Sequence, residues 1–200
     1  MVKIEKIISG GQTGADRAAL DFAIDNNISH GGWIPKGRKT ETSQLPGKYH
    51  LQEMATASYS KRTEQNVIDS DGTIIVSHGK LTGGSALTQT FAIKHHKLCL
   101  HLDMDNTTIT EAADSLNNWI RKNKIKILNV AGPRANKDNK IYQVIRDILE
   151  AAFIKDKEFY NDSPRINLRD KISCPQSPEI PTFQGCRGFQ KGTDKIRAMG

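Results

Sequence analysis

Three glycines, a threonine and an aspartate stand together in Ser9-Gly10-Gly11-Gln12-Thr13-Gly14-Ala15-Asp16. Glycine permits positive φ and close approach of a ligand to the main chain. Free N–H groups where a turn opens into a helix favour an anion, most often a phosphate. The same chemistry recurs in Gly79-Lys80-Leu81-Thr82-Gly83-Gly84-Ser85-Ala86-Leu87-Thr88. Cations stand at Lys36 and Arg38, at Arg62, with Thr63 beside it and Asn66 one turn on along the same helical face, and at Arg134 in Gly132-Pro133-Arg134. Metal and thiol chemistry have no comparable signature. The six histidines lack HExxH or similar ligand spacing. Cys99, Cys174 and Cys186 are odd in number and lack CxxC spacing, so neither a zinc site nor a disulfide framework is expected. Asp103-Met104-Asp105-Asn106 fails the spacing of a calcium loop and has no glycine at the turn.

The elements that must position these residues are legible in the periodicity. The first glycine turn follows the apolar run Ile4 to Ile8 and leads into Ala15, Ala18, Ala19, Phe22 and Ala23, a small apolar stripe at helical spacing. Thr13 is expected to be the N-cap of that helix, with Asp16 completing a Thr-x-x-Asp capping box. Further strands are expected over residues 30–34, 72–77, 97–102 and 125–131. Helices are expected within 51–70, from the second glycine turn to about His95, and over 110–122 and 139–153. Residues 40–48, with Pro46-Gly47, have the composition of a long loop over a cleft. Strands alternating with helices predict a doubly wound, mainly parallel, Rossmann-like α/β sheet of about five or more strands with helices on both faces, covering residues 1–154. In such a sheet, two glycine turns meet where the strand order reverses, and ligands bind there. Residues 155–200, with Pro164, Pro175, Pro178 and Pro181, read as an extension that is disordered or lies on the body or a neighbour.

Charge narrows the partners. The chain carries a formal +7. From Pro35 to Arg62 six bases face two acids, whereas the other residues up to Ile154 hold 14 of each. A compact basic segment beside a glycine turn suits a small anionic ligand better than nucleic acid, whose readers extend their bases along a face with interleaved aromatics. A signal peptide and a membrane span are not expected, which points to a cytoplasmic protein without a membrane role. A nicotinamide dinucleotide is disfavoured: the first turn is Gly-Gly-x-x-Gly, and the second strand ends in Pro35-Lys36-Gly37-Arg38-Lys39 without an acid for a ribose hydroxyl.

Five stretches taken together, SGGQTGADRAALDFA, GWIPKGR, KRTEQNVIDSDGTIIV, LTGGSALT and NVAGPR, resemble the molybdenum cofactor carrier protein family, Rossmann-like relatives of the phosphoribohydrolases long called lysine decarboxylases. The resemblance covers residues 1 to about 153. It implies a cytoplasmic homo-oligomer that holds and protects molybdenum cofactor, a phosphorylated pterin with dithiolene-bound oxomolybdenum, before passing it to a receiving enzyme. On that reading, Gly10, Gly11, Gly83 and Gly84 present backbone N–H groups to the phosphate or oxo-anion, Thr13, Ser85 and Thr88 donate hydroxyls, and Arg62 and Arg134 pair with the charge; Gly14, Asp16, Lys36, Arg38, Thr63 and Asn66 complete the expected site. The hydrolase relatives carry PGGxGTxxE with a catalytic glutamate, and here Thr90 stands at that position. Catalysis of that type is therefore disfavoured, with Glu64 the acid placed to act as a base if hydrolysis occurs. A nucleotide-binding enzyme and a nucleotide-sensing module whose tail contacts a partner remain the alternatives.

Overall fold

The computed structural model describes residues 4–154. Twelve elements follow in chain order: β1 (Lys6–Ile8), α1 (Ala15–Asp25), β2 (Ser29–Gly31), β3 (Trp33–Ile34), β4 (Gln52–Glu53), α2 (Tyr59–Ile68), β5 (Gly72–Ser77), α3 (Gly83–Lys94), β6 (Leu98–Asp103), α4 (Ile109–Asn123), β7 (Ile127–Ala131) and α5 (Ile141–Phe153). Five strands form one parallel sheet in the order β2-β1-β7-β5-β6. Helices α1, α4 and α5 pack together on one face, and α2 packs with α3 on the other. This is the doubly wound α/β architecture expected from the alternation. The extension expected over residues 155–200 lies outside the described residues, and among those described no helix is long and apolar enough to cross a membrane.

Burial follows the sequence pattern. Every residue of β5 is buried, as a central parallel strand covered on both faces requires. The stripe Ala15, Ala18, Ala19, Phe22 and Ala23 is fully buried in the main core with Leu116 and Ile120 of α4 and Ile145 of α5. Small side chains let α1 lie close to the sheet and bring its first turn to the strand ends. Strand β7 occupies the centre, so the glycine turns after β1 and β5 flank it at the same edge. That places Gly132-Pro133-Arg134 between them.

Three local expectations are corrected. The expected second strand divides: β2 stays in the main sheet, while β3 pairs in parallel with β4 in a separate two-stranded sheet. Gly32, at φ +119°, makes the break, and Asn66 fixes it by accepting the Trp33 N–H at 2.7 Å and donating to the Trp33 carbonyl at 3.3 Å. Residues 51–58 hold β4 and no helix; α2 begins only after Ser58, whose side chain caps it by accepting the Lys61 N–H. The first helix is not capped by Thr13. Gly14 is its N-cap, at φ 75°, and the left-handed turn lets the Ala15 N–H reach the Pro133 carbonyl at 3.2 Å. Thr13 Oγ1 instead meets the Glu41 carboxylate, and Asp16 Oδ2 accepts the Gln12 N–H at 3.2 Å. Substitution of Gly14 by alanine combines positive-φ strain with a Cβ 2.6 Å from the Pro133 carbonyl oxygen. A loss of about 2–3 kcal/mol is expected in urea unfolding of Gly14→Ala; an unchanged midpoint would mean that the turn needs no glycine.

Candidate functional site: a cleft over the strand ends

A cleft of about 1050 Å³ opens over the C-terminal ends of β1, β5 and β7. That is room for a ligand of nucleotide size, well beyond a bare oxyanion. Of the expected site residues, Gly10, Asp16, Arg62, Thr63, Asn66, Gly83, Gly84, Ser85, Thr88 and Arg134 line it. Gly11, Thr13, Gly14, Lys36 and Arg38 do not. A Cβ at Gly11 would point at Leu45 and Leu51, so this glycine faces the packing under the 35–51 loop. The Arg38 guanidinium donates to the carbonyls of Leu45, Pro46, Tyr49 and Leu51 and holds that loop in place.

At the α1 end, Arg62 lies flat across Gly10, where any Cβ would overlap its guanidinium. Its Nη1 donates to Asp16 Oδ2 at 3.2 Å, and the side chains of Arg62 and Asp16 are 10% and 9% exposed. Gln12, also buried, accepts the N–H groups of Thr13 and Glu41 through Oε1. Gln12 Nε2 and Arg62 Nε are buried donors without a partner among the described residues. Tyr59 stands between two cations, its ring centroid 5.9 Å from Arg62 Cζ and 5.3 Å from Arg134 Cζ.

The α3 end differs in kind. The Ser85 and Ala86 N–H groups turn back onto the Thr82 carbonyl, whereas those of Gly83 and Gly84 have no partner among the described residues. A Cβ at either glycine would meet nothing within 4 Å, so both face open space. Ser85 is buried beside them, and the Thr88 hydroxyl donates to the Gly84 carbonyl at 2.9 Å. The preceding loop is held by Asp103, which accepts the Gly79 N–H at 2.8 Å and the Asp105 N–H at 3.1 Å. Those backbone bonds hold the Asp103 carboxyl below the usual carboxylate range. Across the whole cleft the lining carries five bases (Arg62, Lys80, Arg134, Lys137 and Lys140) against three acids (Asp16, Asp105 and Asp138).

Sequence reading missed Gln12, Tyr59, Lys80 and the pair His78–Asp138. Lys80 lay inside the second glycine turn and was readable as part of it. The pair was not, because its members are 60 residues apart: His78 Nδ1 is 2.6 Å from Asp138 Oδ2, and Asp138 Oδ1 accepts the Lys140 and Ile141 N–H groups at the start of α5. Glu64, the acid weighed for catalysis, is engaged elsewhere, as are the neighbouring acids Asp69 and Asp71. Glu64 is 2.7 Å from both Lys94 Nζ and His95 Nε2, on the outer surface of α2 and α3, and these partners lower its carboxyl from the ordinary range. Asp71 accepts the Lys126 and Ile127 N–H groups, and Asp69 accepts from Trp33 Nε1. Thr90 is exposed on α3 and donates to the Ala86 carbonyl. Among the described residues no group of three His, Cys, Asp or Glu is placed to hold a metal ion.

The comparisons agree with this architecture. The chain is similar over most of its described length to the crystal structure of the "Putative molybdenum carrier protein" of Syntrophus aciditrophicus SB, with 59% sequence identity, a TM-score of 0.74, and coverage of 75% of this chain and 95% of that one. No curated protein matches the chain. The model of the Circularly permutated YpsA SLOG family matches residues 7–153. With the doubly wound sheet, the paired glycine turns and this match, the chain belongs to the Circularly permutated YpsA SLOG family.

Proposed function

We propose that this protein holds molybdenum cofactor in the cleft and carries it to a receiving enzyme, with the cofactor's phosphate at the start of α3. The observation that carries this reading is the pair of N–H groups of Gly83 and Gly84, unpartnered among the described residues, open to the cleft and preceded by Lys80, with Arg134 elsewhere in the same lining. A helix start with two free donors and a lysine just before it, in a cleft whose lining is net basic, favours a phosphate over a neutral group. The size of the cleft admits a phosphorylated pterin, and the name of the Syntrophus relative supports the metal-bearing form. The dithiolene sulfurs belong to the cofactor, so the protein's contribution is to seat the phosphate, cover the ring system and limit access of water.

A second reading has one observation in its favour. Asp138 fixes a proton on His78 Nδ1 and leaves Nε2 as the second ring nitrogen of a residue that lines the cleft. An imidazole oriented in this way is a general base. Under this reading the cleft turns over a nucleoside monophosphate, and a His78→Gln variant would lose turnover without losing binding.

Protein purified from cofactor-producing cells should contain molybdenum and pterin near one equivalent per chain. A Lys80→Ala, Arg134→Ala double variant should lose at least tenfold of both, read by elemental analysis and pterin fluorescence. Absence of both from the wild type would contradict the carrier reading. Gly84 supplies a steric control. Gly84→Ala should keep or raise stability by up to about 1 kcal/mol, because the position is helical and unobstructed. Gly84→Val should fold but weaken inorganic phosphate binding at least tenfold; unchanged affinity would move the anion away from α3.

A further inference from the structure

We infer that the corner formed by Gln12, Asp16 and Arg62 binds the uncharged heterocycle of the ligand through a lactam edge, a ring carbonyl beside a ring N–H, and so fixes which way round the ligand lies. The inference rests on the reading of the ligand as a phosphorylated heterocycle. It adds the chemical class of the ring and its seat.

All three side chains are at least nine-tenths buried, and all line the cleft. Their open valences are unequal. Gln12 Nε2 and Arg62 Nε are donors without a partner among the described residues. Asp16 uses Oδ2 for both of its bonds, to the Gln12 N–H and to Arg62 Nη1, which leaves Oδ1 as an acceptor. A phosphate suits this corner poorly. The Arg62 charge is already matched by Asp16, and a dianion would meet a carboxylate at close range. A neutral group that both donates and accepts suits it well.

The numbers of donors and acceptors select among such groups. A carbonyl oxygen has two lone-pair positions and can take Gln12 Nε2 and Arg62 Nε together, while an adjacent ring N–H donates to Asp16 Oδ1. Guanine, hypoxanthine and a 4-oxopterin all present that edge. Adenine has no carbonyl oxygen, so at least one buried donor stays unsatisfied when it binds. With the ring held here, the phosphate extends toward Gly83 and Gly84 at the other end of the cleft.

The test measures affinities of the full chain for GMP, IMP, AMP and inorganic phosphate by calorimetry. GMP and IMP should bind at least tenfold more tightly than AMP. Gln12→Met, which removes the free donor without changing charge, should erase that preference and leave the affinity for inorganic phosphate within twofold. Asp16→Asn should likewise erase it; melting curves establish that both variants are folded. Equal affinity for GMP and AMP, or tighter AMP, would overturn the inference. So would a Gln12→Met variant that loses phosphate affinity, because the corner would then be the anion site. If phosphate and all three nucleotides fail to bind the wild type, the proposed function itself falls. Binding of phosphate with no preference among the bases sinks the lactam reading alone.

Discussion

The buried pair Asp16–Arg62, laid across Gly10, is the contact on which the cleft depends. It joins the first turn of α1 to α2 over the end of β1, and so ties together both faces of the sheet at the edge over which the cleft opens. Removing one partner would leave an unmatched buried charge, a cost of about 3–5 kcal/mol. The pair also explains Gly10 by packing, since the guanidinium occupies the space of a side chain. It matches the Arg62 charge at the α1 end of the cleft.

Charge therefore divides the cleft. At the α3 end, two N–H groups without a partner among the described residues, the helix dipole and Lys80 just before the turn act in one direction, toward a phosphate. At the α1 end the Asp16 carboxylate opposes Arg62. At about 4 Å two like charges repel by about 4 kcal/mol under the screening of a protein surface, more than one hydrogen bond returns. Two glycine turns of similar sequence thus have different environments, and the difference lies in the side chains that meet above them.

Much of the fold was legible in the sequence because local pattern decided it. The alanine stripe of α1, the unbroken Thr-Ile-Ile-Val of β5 and the glycine turns that follow β1 and β5 all stand where periodicity placed them, and Arg134 reaches the same edge. The failures have a common cause in long-range partners. Thr13 and Asp16 have the spacing of a capping box, but Glu41 and Arg62 engage them instead. Arg38 has the charge for a phosphate, but four carbonyls of its own loop surround it. Trp33 falls within the expected second strand, residues 30–34, but Gly32 and Asn66 turn it out of the sheet. In the site itself, Gln12 and His78 were invisible because their significance lies in an unsatisfied nitrogen and in a partner 60 residues away.

The most direct test of a phosphate seat at α3 is a proton–nitrogen correlation spectrum of the labelled chain, followed during titration with inorganic phosphate. The amides of Gly83 and Gly84 should shift saturably, with a common dissociation constant, while that of Gly11 stays in place. Shifts confined to Gly10 and Gly11, with Gly83 and Gly84 unmoved, would contradict the account and return the anion to the first turn.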